Sequence, residues 1–230
     1  MLNLSQSLSL NARKKSWSPD DEASLEAWYK NKTGITLNSS DVSEWADSSA
    51  NSYDMTQSTD AEQPAYIALT GALTFESSAK DNLLINGLQI NLDNVFTIGL
   101  VFNPSISAPG TILGSNDGTG GIGHEFFKYT STTNLRIKID NTAANLPLDS
   151  GTFGDDYIVV TRNAANKLKL WKNGVVQSAA PVLSGTADID SIGVRETNQD
   201  YLDGVIKEIQ IYTAENAGLT TNINSYLSSI

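Results

Sequence analysis

Two aspartates, Asp188 and Asp190, are the carboxylates whose spacing best suits chemistry. They stand two residues apart at the start of a predicted strand, so an extended backbone would place both on one face. Hydrolysis of a glycosidic bond uses two carboxylates about 5–10 Å apart. Aspartates at a strand start are more commonly solvated than catalytic. We therefore predict that the chain is not an enzyme, and glycoside hydrolysis ranks last among the functions considered.

Nucleophilic and metal chemistry are limited by side-chain type. The 230 residues include no cysteine, which excludes thiolate sites. They include one histidine, His124, so a zinc site or a catalytic triad would have to use that residue without a second histidine. The glycines Gly118, Gly120 and Gly123 match a dinucleotide-binding pattern. A strand-like segment follows them instead of the helix that a phosphate needs. The stretch is therefore predicted to be a loop.

Four residues are candidates for ligand binding. Asn116, Asp117 and His124 belong to the glycine-rich loop Gly114–Glu125, and loops at the ends of sandwiches commonly carry binding. Trp171 is predicted to lie on an outward strand face, where an aromatic ring can stack on a sugar or pack beneath a loop. A second loop, Ser48–Gln63, is expected to face the surroundings as well.

Cofactors are not predicted, with one reservation about calcium. Asp47 and Asp54 lie in a polar loop and offer the hard oxygen atoms that calcium prefers. Loop aspartates also cap turns through the backbone of their own loop. A structural calcium ion near these two residues therefore stays open, and no other metal site is expected.

Net charge limits the partners. With 15 Lys and Arg against 26 Asp and Glu, the net charge is −11, so the surface field repels phosphate backbones and anionic lipids. No apolar run approaches the roughly 18 residues of a membrane span. We predict neither nucleic acid nor a membrane as partner, and leave self-association open.

The segment Asp155–Val176 shows the fold class most clearly. Its first half is rich in β-branched and aromatic residues, and Leu168 and Leu170 then alternate with polar residues, the period of two of a strand. Asn173-Gly174 predicts a tight hairpin turn. A hairpin is marginal alone and needs a sheet and a second layer.

The remaining sequence predicts those layers. Phe96, Ile98, Leu100 and Phe102 alternate across a central strand, turn signals recur along the chain, and only the tail Ala214–Ile230 favours a helix. The predicted fold is all-β: a two-sheet antiparallel jelly-roll sandwich with a short C-terminal helix and an extended N-terminal arm.

The arm is assigned to residues 1–17 and the sandwich domain to residues 18–230. Leucines at even positions would give an extended arm one apolar side, and a basic cluster follows them. No secretion signal is recognisable in this segment. The residues expected to anchor the chain to another protein are Leu2, Leu4, Leu8, Leu10, Arg13, Lys14 and Lys15.

Four segments in a fixed order resemble the concanavalin A-like lectin/glucanase superfamily, in its laminin-G-like branch. They cover about residues 22–230, and their motifs are Trp45-Ala-Asp47-Ser-Ser with Asp54-Met-Thr-Gln57 and Gln63-Pro64, FESSAKDNL at 75–83, VVTRNAANKLKLWKNG at 159–174, and YLDGVIKEIQIY at 201–212 with the tail INSYL.

The resemblance implies a jelly roll of two stacked sheets and leaves function open, because the superfamily includes lectins, glycosidases and structural modules. Single domains of this kind with a short arm also resemble structural proteins of tailed phages. We predict a non-enzymatic virion protein, such as a decoration, fibre or tail adhesion subunit, assembled in a host cytoplasm and anchored to a capsid or tail protein. The alternative is a lectin module that binds host-surface polysaccharide.

Overall fold

A computed structural model describes residues 15–105, 109–116, 126–140, 142–195 and 198–230. Strands are the main regular structure in these residues, with short 3-10 turns at Pro19–Asp21 and Asp60–Glu62 and one helix, α1 (Ala217–Leu227). The strands are β1 (Leu25–Tyr29), β2 (Ile35–Asn38), β3 (Asp41–Trp45), β4 (Met55–Thr56), β5 (Ala65–Ile67), β6 (Ala72–Phe75), β7 (Leu83–Ile85), β8 (Ile90–Leu92), β9 (Phe96–Pro104), β10 (Gly110–Gly114), β11 (Phe126–Ser131), β12 (Asn134–Ile139), β13 (Thr142–Pro147), β14 (Asp156–Arg162), β15 (Leu168–Lys172), β16 (Val175–Val176), β17 (Ala187–Ile189), β18 (Ser191–Ile192) and β19 (Gly204–Tyr212).

The first sheet is built on the long central strands β9 and β19. Its order is β16-β15-β14-β9-β19-β1, and β6 pairs with the first residues of β19, with β5 beside it. The predicted hairpin between β15 and β16 is present. Asn173 and Gly174 have φ of 50° and 78°, the left-handed backbone that Asn-Gly adopts at low cost.

The second sheet has the order β13-β12-β11-β10-β18-β7-β4-β3-β2, and every pairing in it is antiparallel. Asp41 pairs with Ala65 and joins the two sheets at one edge, while β8 and β17 form a small pair of their own. Buried side chains of both large sheets, such as Leu100 of β9 and Ile137 of β12, meet in one hydrophobic core. The predicted antiparallel sandwich with a C-terminal helix is confirmed.

Helix α1 covers the outer face of the first sheet. Its Asn216 cap accepts a hydrogen bond from the Leu219 amide at 2.9 Å, and Ile223 packs with Val101 and Val159 in a second hydrophobic cluster. This face was expected to be wet. The helix makes it a third layer, which explains why residues on both faces of β9 are buried.

Gly99 lets the helix approach β9 closely. A Cβ atom at this position would lie 2.6 Å from Cγ2 of Ile223 and 3.0 Å from Cδ1 of Leu227, closer than van der Waals contact allows. The missing side chain is therefore the space into which α1 packs.

Arg162, at the end of β14, is fully buried. It donates hydrogen bonds to the main-chain carbonyls of Leu92 at 2.9 Å, Asp93 at 2.6 Å and Gly185 at 2.7 Å, and also to that of Asn94. The guanidinium thus links the chain after β8 to the chain before β17. It holds together the two segments that form the small sheet.

Candidate functional site

A groove of about 710 Å³ opens beside β7 and the small β8–β17 sheet. Four separate parts of the chain line it: the loop before β4, the segment from β7 to β8, the end of β10 and the turn between β17 and β18. The lining residues are Tyr53, Leu84, Ile85, Gly87, Leu88, Gln89, Asn91, Asn116 and Asp190. Its volume is within the range of about 300–1,000 Å³ typical of small-ligand sites.

Asp190 organises the polar side of the groove. The side chain is buried, and its carboxylate accepts a hydrogen bond from the main-chain N–H of Asn116 at 2.6 Å and one from the Gln89 amide at 3.3 Å. The Asn116 amide in turn lies 3.5 Å from Oδ1 of Asn198. This arrangement fixes where the loop after β10 leaves the sheet.

Tyr53 is the aromatic residue in the groove lining. Its hydroxyl donates to the Glu26 carboxylate at 3.0 Å, and its main-chain carbonyl accepts from the Tyr29 hydroxyl at 2.7 Å. Burial, followed by the hydrogen bond to Glu26, raises the pKa of the Tyr53 hydroxyl. The ring is therefore held in a fixed position, and Leu88, 53% exposed, provides an apolar surface in the same groove.

The structure places the predicted ligand-binding residues in different regions. Asn116 lines the groove, whereas Asp117 and His124 lie outside the described residues. Trp171 lies on the outer face of the first sheet, as its alternation predicted, but it packs against the cluster beneath α1. Of the two arrangements considered for Trp171, stacking on a sugar or packing within the chain, the partly buried ring shows the second, and its role as a ligand contact stays a prediction.

Asp47 and Asp54, the pair considered for calcium, organise their own loop. The Asp47 carboxylate accepts from the amides of Trp28 and Ser49, both at 2.8 Å, and from that of Tyr53 at 3.1 Å, and Asp54 accepts from the Asp47 amide. Positive ends of N–H dipoles therefore point at the oxygen atoms that a cation would need. Within the described part of the chain, no three acidic, histidine or cysteine side chains group closely enough to hold a metal ion.

Of the residues predicted to anchor the arm, Lys15 is the one that the structure describes. It is an exposed residue that pairs with Asp21. The next aromatic residue, Trp17, packs edge-on against Tyr226 of α1 with ring centroids 6.0 Å apart and donates from its indole nitrogen to Glu22. Leu2, Leu4, Leu8, Leu10, Arg13 and Lys14 lie outside the described residues.

Most of the groove was not recognised in the sequence. Tyr53, Leu88, Gln89 and Asn91 were not considered as ligand contacts, and Asp190 was considered as half of a catalytic pair. The dipeptide Asn86-Gly87 was a usable turn signal, since Gly87 has φ of 75° and the residues on either side of it line the same groove. The convergence of Tyr53 and Asn116 with that turn is a long-range effect.

Comparisons with known proteins agree on the fold. No family model and no curated protein sequence matches the chain. Among solved structures, it is similar to the botulinum neurotoxin serotype D ligand-binding domain in complex with N-acetylneuraminic acid, at 13% identity and a TM-score of 0.59, covering 90% of this chain and 51% of that one.

Two further structures come from sialidases. The Trypanosoma rangeli sialidase matches at 10% identity with a TM-score of 0.56, covering 90% of this chain and 33% of that chain. The carbohydrate-binding module of the Ruminococcus gnavus IT-sialidase, bound to α2,3-sialyllactose, matches at 16% identity with a TM-score of 0.46, covering 58% of this chain and 82% of that chain. The chain thus has the fold of a lectin-like β-sandwich and spans about half or less of the two longer structures.

None of the helices in the described residues is long and apolar enough to cross a membrane.

Proposed function

We propose that this chain is a non-enzymatic, lectin-like module that binds a carbohydrate in the groove between Tyr53 and Asp190. The observation that carries the proposal is the composition of the lining: a fixed aromatic ring, an exposed leucine and three side-chain amides surround one cavity. Sugar rings present apolar C–H faces and many hydroxyl groups. An aromatic or aliphatic wall matches the first, and amides, which both donate and accept, match the second.

The carboxylates of the groove favour binding over hydrolysis. Glycosidases need two carboxyl groups on either side of the scissile bond. Among the described lining residues Asp190 is the one acid, and its oxygen atoms already accept hydrogen bonds from Asn116 and Gln89. Asp188 lies opposite Asn91 in the β8–β17 pair and is not part of the lining. This arrangement suits a group that orients a loop and a ligand.

A glycan array with the purified chain tests the proposal, followed by titration of the strongest ligand. We expect Asn91→Ala to weaken binding by about tenfold, since one lost hydrogen bond to a ligand is worth about 1 kcal/mol or more. Asn145→Ala is the matched control, because Asn145 is also an exposed asparagine in a strand with one side-chain contact. Silence across the array, or equal losses in both variants, would refute sugar binding in the groove.

The finer proposal concerns the setting: a virion protein of a laminin-G-like, tailed-phage type, held in the particle through residues 1–17. Supporting it, Trp17 packs against α1 on the first sheet, while the groove residues belong to the second sheet, the small β8–β17 sheet and the loops beside them. Anchoring and recognition would then use separate parts of the domain. Deleting residues 1–14 should leave a folded domain that no longer enters particles, and normal incorporation would contradict the anchoring role.

A further inference from the structure

We infer that the groove selects neutral, hydroxyl-rich glycans and rejects glycans that present an acidic sugar there. This inference rests on the proposed function and names the ligand class of the same site. It also separates this chain from its structural neighbours, whose bound sugars are N-acetylneuraminic acid and sialyllactose.

The first argument is the sign of the charges. The described lining contains the carboxylate of Asp190 and no lysine or arginine. Two more acids stand next to lining residues: Glu26 holds the Tyr53 hydroxyl, and Asp188 pairs with Asn91. A carboxylate sugar would need a cation to replace the water that it loses on binding.

The neighbouring segments supply no permanently charged cation in the sequence. Residues 117–125 and 196–197, which adjoin the lining residue Asn116 and its partner Asn198, contain neither lysine nor arginine, and His124 is the one side chain among them that can take a positive charge. Arg195 is close in sequence, but its guanidinium pairs with Asp200 at 2.5 Å and lies over the Phe126 ring. Its charge is already directed to an acid of its own loop.

Burial of Asp190 strengthens the argument. A buried charge is screened by salt much less than an exposed one, so the repulsion between Asp190 and an acidic sugar bound in the groove is only weakly reduced by salt. The net charge of −11 adds a weaker, long-range repulsion that salt does remove. Discrimination against acidic sugars should therefore persist when salt is raised.

The second argument is the match to hydroxyl groups. Gln89 and Asn91 each present an amide with donor and acceptor atoms, and Asp190 presents acceptor oxygen atoms, whereas the Asn116 amide is already hydrogen-bonded to Asn198. Hydroxyls can donate to the carboxylate and accept from the amides. A sugar carboxylate is acceptor-only and would face the Asp190 oxygen atoms without a proton between them.

The experiment uses an array of neutral glycans, each printed beside its sialylated counterpart, at 0.15 M and 0.5 M salt. We expect the bound glycans to be neutral and their sialylated counterparts to bind at least about tenfold more weakly at both salt concentrations. Asn91→Ala should weaken binding of the neutral glycans by about tenfold.

A designed variant tests the reason as well as the preference. Leu88 is an apolar residue of the lining and is 53% exposed. Leu88→Lys therefore adds a cation to the groove, and Leu88→Gln is its control because glutamine is polar and of similar length but carries no charge. Relative to Leu88→Gln, we expect Leu88→Lys to raise the affinity for the sialylated counterparts by about tenfold.

The outcomes separate the two proposals. Binding restricted to sialylated glycans and lost in Asn91→Ala would overturn the inference and keep the groove as a sugar site. Equal binding of both variants at Leu88 to the sialylated glycans would overturn the charge argument. No binding to any glycan would end the proposed function, and the inference with it.

Discussion

Arg162 is the residue whose replacement should reveal most about how the groove is held in place. Changing it to lysine keeps a positive charge and most of the side-chain length but replaces the planar fork with a single ammonium group. Burial lowers the pKa of Arg162, but a guanidinium is not deprotonated in proteins, so the group stays charged in the folded protein. The substitution therefore tests geometry and not charge.

The expected loss follows from the four carbonyls that Arg162 contacts. They lie on two segments, Leu92–Asn94 and Gly185, and an ammonium group centred on one atom can reach the carbonyls of one segment only. An ammonium group has three N–H donors for these four carbonyls, so at least one carbonyl loses its partner. At about 1.5–3 kcal/mol for each hydrogen bond from a charged group, Arg162→Lys should reduce the free energy of unfolding by at least about 1.5–3 kcal/mol.

Urea unfolding followed by tryptophan fluorescence measures this, since Trp28 and Trp45 are buried. Arg136→Lys is the control, because Arg136 is exposed on β12, and its free energy of unfolding should change by less than about 0.5 kcal/mol. Hydrogen exchange should show the β8 and β17 amides losing protection first. A loss below about 1 kcal/mol for Arg162→Lys, or one equal to that of the control, would refute the assignment of Arg162 as the link between these strands.

Three further changes test other parts of the fold. Burial raises the pKa of Asp81 to about 6 from 3.8, so the folded state favours the protonated carboxyl and the free energy of unfolding falls as the pH rises from about 4 to 6. By urea titration, the free energy of unfolding of Asp81→Asn should match that of the wild type at pH 4 and exceed it by up to about 3 kcal/mol at pH 7. A difference that does not change with pH would contradict this. Gly99→Ala should lower the free energy of unfolding by about 1–3 kcal/mol, measured by thermal unfolding, because the new methyl group would collide with Ile223. The double variant with Ile223→Ala should lose less than the sum of the two single losses, and strict additivity would argue against the contact. Asn216→Ala removes the side chain that caps α1 and should lower the free energy of unfolding by about 0.5–2 kcal/mol. An unchanged free energy of unfolding would mean that the cap contributes little.

The sequence predicted the strands whose alternation is strong, and it missed the two strands at the edges of the second sheet. β14 to β16 lie where the period of two and Asn173-Gly174 placed them. Neither β2 (Ile35–Asn38) nor β13 (Thr142–Pro147) was predicted. Each has one neighbour strand among the described residues and few buried side chains, so the apolar pattern that marks a strand is weak there.

Sites were harder to predict than strands because they depend on contacts between distant segments. The outward direction of Trp171 follows from its strand period, but no local pattern shows that α1 returns to cover it. The groove combines residue 53 with residues 84–91, 116 and 190. Asn116 was found because its loop is rich in glycine, whereas Tyr53 and Gln89 become neighbours only when the two sheets are stacked.

The contact between Trp17 and Tyr226 has a practical consequence for how the molecule can be presented. It brings the first described part of the chain next to the closing helix, with their ring centroids 6.0 Å apart. A tether, label or fused protein joined near either of these points would therefore emerge from the same region, next to the first sheet. Molecules captured on a chip by such a tether would turn their second sheet toward the solution, leaving the groove accessible.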